Sequence, residues 1–82
     1  MRQGKDADEI SRLKEEFCEG IIKARNQANL SQPRLAELTG VAQPIIARVE
    51  RSRINPTIIT VLKILQPLGK TIKVVDIEKP HK

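Results

Sequence analysis

Few residues in this 82-residue chain could carry covalent or metal chemistry. There is one cysteine, Cys18, and one histidine, His81. A single cysteine forms no internal disulfide and cannot by itself hold a zinc ion. His81 stands next to the last residue, where chains usually fray, so a Ser–His or Cys–His nucleophile pair lacks its base. The expectation is a protein that is not an enzyme, with no metal site and no cofactor. Cys18 reads most simply as a small core hydrophobe, the alternative being a reactive thiol.

Charge is plentiful and unevenly spread. Residues 1–20 carry six carboxylates against four cations, a net of −2. Residues 21–75 carry nine cations against only Glu37 and Glu50, a net of +7, and the whole chain is +5. An acidic start followed by a strongly basic middle implies a polyanion as partner, unless the surface is simply basic and solvated.

Those cations need a scaffold, and the length allows one small domain, since domains typically run to about 100–150 residues. Apolar residues make up 39% and charged residues 30%; with Phe17 the only aromatic, the core must be aliphatic. No apolar run approaches the ~18 residues of a membrane span. Met1-Arg2-Gln3-Gly4-Lys5-Asp6 runs into charge rather than a signal-peptide core, so a cytoplasmic chain is expected. A core this small is marginal, and oligomerisation is one common remedy.

Ile10, Leu13, Phe17, Ile21, Ala24 and Ala28 are spaced 3, 4, 4, 3 and 4, one face of a helix, with Cys18 and Ile22 widening the stripe. Asp6 or Asp8 can cap its start and Asn29 fits its end. Ser31 is the next N-cap candidate, with Pro33 in the first turn and Leu35, Ala36 and Leu38 as the buried side of a short second helix. Gly40 stops it, being able to adopt the positive φ of a tight turn. A third helix begins near Ala42-Gln43-Pro44, buries Ile46 and Val49, and ends near Arg51. Arg53-Ile54-Asn55-Pro56 is a loop. Thr57 then caps a helix with Ile58, Val61, Leu62, Ile64, Leu65 and Leu68 as its apolar positions, ended by Pro67 and Gly69. Residues 71–77, Thr-Ile-Lys-Val-Val-Asp-Ile, are β-branched and too short for another helix. A lone strand leaves its N–H and C=O groups unpaired, so this one needs a partner, most simply a second copy about a two-fold axis. Ile72, Val74, Val75 and Ile77 are its dimer-interface candidates; the other reading is a frayed tail.

The segment from Gln32 to Arg51 carries the functional signal. Ala36 sits four residues before Gly40, Ile46 six after it and Val49 nine after it. That spacing suits two short helices crossing steeply, with a small residue for close approach, glycine at the turn, and two aliphatics holding the second helix on the first. It resembles the DNA-binding helix-turn-helix, in particular the phage-repressor-like (XRE) family of five-helix regulators. Ser31-Gln32, Leu35-Ala36, Gly40-Val41, Gln43-Pro44, Ile46 and Arg48-Val49-Glu50 follow that family's pattern, over about Ile22 to Leu68.

The resemblance implies that the third helix lies in the major groove, with Ala42, Gln43, Pro44, Ala47 and Arg48 facing base edges. Gln43 can pair bidentately with adenine and Arg48 with guanine, while Ala42 and Pro44 offer apolar contact to a thymine methyl. Gln32 looks like the residue that meets a phosphate and buttresses Gln43, and Arg51, Ser52 and Arg53 look like DNA-backbone clamps. Arg48 could instead pair with Glu50 or Glu37. Glu50 looks structural rather than DNA-facing. Ile45 stands where the family usually has serine or threonine, to touch a thymine methyl or sit exposed. Ser52 occupies a place often held by glycine, which leaves the loop path open.

Asn55-Pro56-Thr57, Thr60-Val61-Leu62-Lys63-Ile64-Leu65 and Leu68-Gly69, with the strand after them, resemble the antitoxin branch of that family, the HigA-like and HipB-like proteins. The implied fold is all-α, a compact domain of four to five helices with one short C-terminal β-strand pairing across a dimer. It divides into an extension and long first helix (1–30), the helix-turn-helix and following helix (31–69), and a dimerisation strand and tail (70–82). The implied function is an autoregulatory antitoxin: a homodimer that binds a palindromic double-stranded DNA operator and holds a basic toxin. That toxin would be a RelE-like mRNA-cleaving ribonuclease or, as second choice, a HipA-like kinase. The acidic first helix, with Glu15, Glu16 and Glu19, suits the toxin surface. The rival readings are a free-standing phage- or plasmid-type repressor and a protein-interaction adaptor that does not bind DNA.

Overall fold

The computed structural model describes residues 2–77, with side chains from residue 8 onward. Four α-helices follow one another along the chain: α1 (Arg2–Gln27), α2 (Gln32–Thr39), α3 (Gln43–Glu50) and α4 (Ile58–Leu65), with a 3₁₀ turn at Gln66–Leu68. No described helix is long and apolar enough to cross a membrane.

Local chemistry sets most of these boundaries. The Ser31 hydroxyl accepts from the Arg34 N–H at 3.1 Å, and Thr57 does the same for Thr60 at 3.1 Å, each satisfying an otherwise unpaired donor of a first turn. Pro33 and Pro44 lie in first turns, where the N–H they lack is not needed. Gly40 ends α2 at φ 77°, its N–H donating to the Ala36 carbonyl. The Thr39 hydroxyl donates to the Leu35 carbonyl and accepts from Val41 N, which completes the turn into α3. Asn29 ends α1 in the left-handed conformation, φ 58°, as its place predicted. Pro67 falls in the 3₁₀ turn after α4, where the helical ladder has already tightened.

The core is one aliphatic cluster of Ile21, Leu35, Ile46, Val49, Val61, Ile64 and Leu65. Leu35, Ile46, Val49 and Ile64 have no exposed surface. α1 contributes only from Cys18 onward, through Cys18, Ile21 and Ala24. Cys18 is buried and free, as expected of a small core residue.

Several expectations need correction. α1 begins at Arg2, so Asp6 and Asp8 lie inside the helix and not at its cap. Ile10, Leu13 and Phe17 are exposed, and Ala28 lies beyond the helix end and is exposed too. The reason is length. At about 1.5 Å per residue, a helix of 26 residues outruns three helices of 8 residues each, and the molecule is 44 Å long but only 22 × 20 Å across. Leu38 is likewise exposed, leaving Leu35, with half-buried Ala36 beside it, as the inward side of α2. On α4, Val61, Ile64 and Leu65 face the core, while Ile58 and Leu62 face outward.

The helix count is four among the described residues, without a fifth, and residues 70–77 form no strand. A strand is defined by its ladder, and a single copy offers these residues none. Ile72 packs against the core; Val74, Val75 and Ile77 are exposed. The remainder of the expected tail, with His81, lies outside the described residues.

Leu35 and Leu38 provide a direct test of this packing. Leu35→Ala should lower unfolding stability by about 3 kcal/mol, the usual range for a filled aliphatic site. Leu38→Ala should change it by no more than about 0.5 kcal/mol, as surface substitutions do. Urea midpoints of the two variants check the contrast.

Candidate nucleic-acid interface

α3 is held by its inward face and by its two ends. Ile46 and Val49 enter the core, and Ile45, half-buried, packs against it as well. Ile45 is therefore a packing residue, not the exposed side chain that was one expectation for it. Ala42, Gln43 and Pro44, at the start of α3, are exposed, as is Arg48 one turn on, while Ala47 is half-buried. Ala42 makes no side-chain cap, so the first N–H groups of α3 are not claimed by its own side chain. The α3 surface thus presents a polar amide, a guanidinium and small apolar groups, the set that can read base edges in a major groove.

Arg48 is paired with neither of the carboxylates that could have taken it. Glu37 binds Arg34 at 2.8 Å, and Glu50 binds Arg25. Glu50, at the C-terminal end of α3, is buried to 6% exposure. Its Oε2 accepts from Arg25 Nε at 2.7 Å and its Oε1 from Arg25 Nη2 at 3.0 Å, a two-pronged contact. Oε1 also accepts from the Gln32 amide at 2.8 Å, and Arg25 Nη1 donates to the Leu30 carbonyl at 2.8 Å. The hydrogen bond to Glu50 raises the Arg25 pKa above its ordinary value, against the opposing effect of burial. One carboxylate therefore joins α1, the start of α2 and the end of α3.

That geometry bears on Gln32. Its side chain is half-buried and directed to Glu50, so what it buttresses in this structure is the far end of α3. Glu50 itself is structural, as its place in the pattern predicted.

Beyond α3, Arg51 and Arg53 are exposed and Ser52 is half-buried. Ser52 has φ 58°, the left-handed conformation that glycine takes without cost and that other residues adopt at about 1–2 kcal/mol. The loop path left open by the sequence is thus a helix-ending turn: Arg53 N donates to the Arg48 carbonyl at 2.8 Å and Ser52 N to Val49 at 3.0 Å. Lys14 of α1 reaches the same loop, donating to Asn55 Oδ1 at 2.7 Å and to the Ser52 carbonyl at 3.4 Å.

Among the acidic candidates, Glu16 pairs with Arg12 at 3.1 Å on the exposed surface of α1. Glu15 and Glu19 line a shallow hollow of about 200 Å³ shared with Cys18, Glu50, Arg51 and Ser52. The structure thus separates Glu16 from the other two.

Three roles are not evident from the sequence: Arg25 as a half-buried strut, and Lys14 and Asn55 as a tie between α1 and the loop. A signal was present. Lys14, Cys18, Ile21 and Arg25 are spaced 4, 3 and 4, which places the two cations on the inward face of α1.

Two short helices joined through a left-handed glycine, the second laid across the first with one face free, define a helix-turn-helix domain. Residues 21–75 match the Helix-turn-helix family. The chain is 43% identical over 67 residues to an uncharacterized HTH-type transcriptional regulator of Haemophilus influenzae, covering 82% of this chain and 68% of that one. It is 35% identical over 60 residues to the control protein C.SmaI of Serratia marcescens, covering 73% and 71%. A solved structure described as a toxin-antitoxin module from Streptococcus pneumoniae superposes with a TM-score of 0.73 at 42% identity, over 90% of this chain and 81% of that one. The chain belongs to the helix-turn-helix family of the phage-repressor, or XRE, type, and its likeness to the pneumococcal module agrees with the antitoxin branch.

The strut makes a measurable demand on stability. Glu50→Ala should cost about 1–3 kcal/mol, because it leaves the partly buried Arg25 guanidinium and the Gln32 amide without their acceptor. Glu50→Gln, which keeps an acceptor, should cost less; chemical denaturation followed by circular dichroism measures both.

Proposed function

We propose that this protein is a sequence-specific DNA-binding repressor that serves as the antitoxin of a type II toxin–antitoxin pair. In this reading a homodimer binds a palindromic operator ahead of its own operon and neutralises a basic toxin. The observation that carries it is the free outer face of α3, where Ala42, Gln43 and Pro44 are exposed and Arg48 is left unclaimed by Glu37 and Glu50. Gln43 and Arg48 are the base readers, with Ala42, Pro44 and Ala47 beside them. Arg51, Ser52 and Arg53 hold the DNA backbone, and the Gln32 N–H, the first-turn amide of α2 that neither Pro33 nor the Ser31 cap removes, is offered to a phosphate.

Dimerisation is supported by what one copy leaves uncovered. Ile58 and Leu62 of α4 line an open groove of about 320 Å³ with Ile72, Lys73 and Val74. Pairing of residues 71–77 between two copies would give these backbone groups a ladder and cover Val74, Val75 and Ile77. The likeness to the pneumococcal toxin-antitoxin module supports the antitoxin role, and the acidic surface of α1 with Glu15, Glu16 and Glu19 is the proposed seat for a basic toxin, RelE-like in the first instance.

A gel shift with the DNA upstream of the gene, with and without the neighbouring gene product, tests the whole reading. Specific retardation altered by that product supports an autoregulating antitoxin. Retardation that ignores it leaves a plain repressor, and no specific retardation points to an adaptor.

Within that assay, Gln43→Ala or Arg48→Ala should cost about 1–3 kcal/mol at the operator and relax base preference. Arg53→Ala should instead weaken all sequences alike and lower the salt slope by about one. Identical behaviour of the two kinds of variant would remove the division into readers and clamps. Charge reversal at Glu15, Glu16 and Glu19 together should weaken the toxin complex, and an unchanged affinity would move the toxin elsewhere. Deleting residues 71–82 should shift the protein toward monomer in sedimentation and weaken operator binding with it.

A further inference from the structure

We infer that Lys14 is a positioning residue for the DNA-backbone loop after α3, so that the long first helix bears on that loop through this ammonium group. The inference rests on the reading of Arg51, Ser52 and Arg53 as phosphate contacts.

Lys14 lies 38 positions before Ser52 and 41 before Asn55, so the contact is tertiary and owes nothing to local sequence. Its ammonium donates to Asn55 Oδ1 at 2.7 Å and to the Ser52 carbonyl at 3.4 Å, two acceptors that bracket Arg53 along the chain. The side chain is half-buried, unlike its exposed neighbours Leu13 and Glu15. Two of the three ammonium donors are thereby committed to the protein, which leaves little of the group for a phosphate.

The loop has one apolar anchor, Ile54, packed against the core, and Lys14 is its polar tie. Ser52 sits at φ 58° without a glycine's freedom, and Arg53 is held at its backbone by a single bond to the Arg48 carbonyl. The carbonyls ending α3 carry the negative end of its dipole, where a cation is favoured. Lys14 supplies that cation and closes the loop onto Asn55. With the loop closed, the backbone of Arg51 and Arg53 is set before DNA arrives, and less ordering entropy is lost on binding.

Two substitutions separate positioning from direct phosphate contact. Lys14→Met keeps the aliphatic stem and removes the charge; Asn55→Ala removes the acceptor and leaves every charge in place. Affinity is read for the upstream duplex and an unrelated duplex of equal length across a range of salt, with circular dichroism confirming that each variant is folded. Each variant should bind both duplexes about 3–10-fold more weakly at ~150 mM salt, and the double variant no more weakly than Lys14→Met alone. Lys14→Arg, which can still donate to both acceptors, should recover most of the loss. Arg53→Ala should cost less in the Lys14→Met background than in the wild type.

Wild-type affinity in Asn55→Ala, with Lys14→Met alone lowering the salt slope by about one, would make Lys14 a phosphate contact and overturn the inference. Fully additive losses would overturn it as well. If the wild-type protein retards neither duplex, the DNA-binding reading itself falls, and this inference falls with it.

Discussion

Burying a carboxylate is costly unless its oxygens are satisfied, and Glu50 is buried at the junction of three helices. Arg25 and Gln32 satisfy it with three hydrogen bonds, and each comes from a different part of the chain. The bidentate fork fixes direction as well as distance, so the end of α3 is located against α1 and α2 to within the tolerance of a short charged bond. The apolar contacts of Ile46 and Val49 supply attraction without direction. Together they leave one face of α3 outward at a defined angle, which is what a reading surface requires.

The same pairing sorts the charges. Of the nine cations between residues 21 and 75, Arg25 is consumed by Glu50 and Arg34 by Glu37. The net positive charge of that region is therefore carried by Lys23, Arg48, Arg51, Arg53, Lys63, Lys70 and Lys73. Arg48, Arg51 and Arg53 are clustered around the end of α3, and all three are exposed. Composition reports only the total; the ion pairs decide which cations remain for a partner.

The domain is too small to cover its own apolar surface. Three 8-residue helices enclose Cys18, Ile21 and Ala24 and leave Ile10, Leu13 and Phe17 in solvent. α4 buries three positions and exposes Ile58, Ile59 and Leu62, next to a tail that carries three more exposed aliphatics. Single exposed aliphatics are ordinary, but aligned ones beside an unpaired chain segment fit a protein completed by partners. The carboxylates Glu15 and Glu19 of α1 and the cations after α3 come from different elements, yet they meet at one hollow with Arg51 and Ser52.

Local rules were enough for much of this molecule. Ser31 and Thr57 cap their helices, Gly40 makes the turn, Asn29 ends α1, and Ile46 and Val49 are buried, because caps, left-handed turns and helical periodicity depend on near neighbours. The helix-turn-helix family and the exposed start of α3 follow from those features. Other outcomes depended on what stands across the chain. The α1 stripe reads as continuous core, yet only the packed helices decide where it stops being buried. Arg25 and Lys14 look like surface cations until α3 and its loop are folded against them. The strand could not form in one copy, since a ladder needs a second backbone. The turns and caps of α2, α3 and α4 could be read from the residues alone, because those energies are local. Tertiary structure decided which charges are paired and which apolar faces are covered, because both depend on groups brought together from distant parts of the chain.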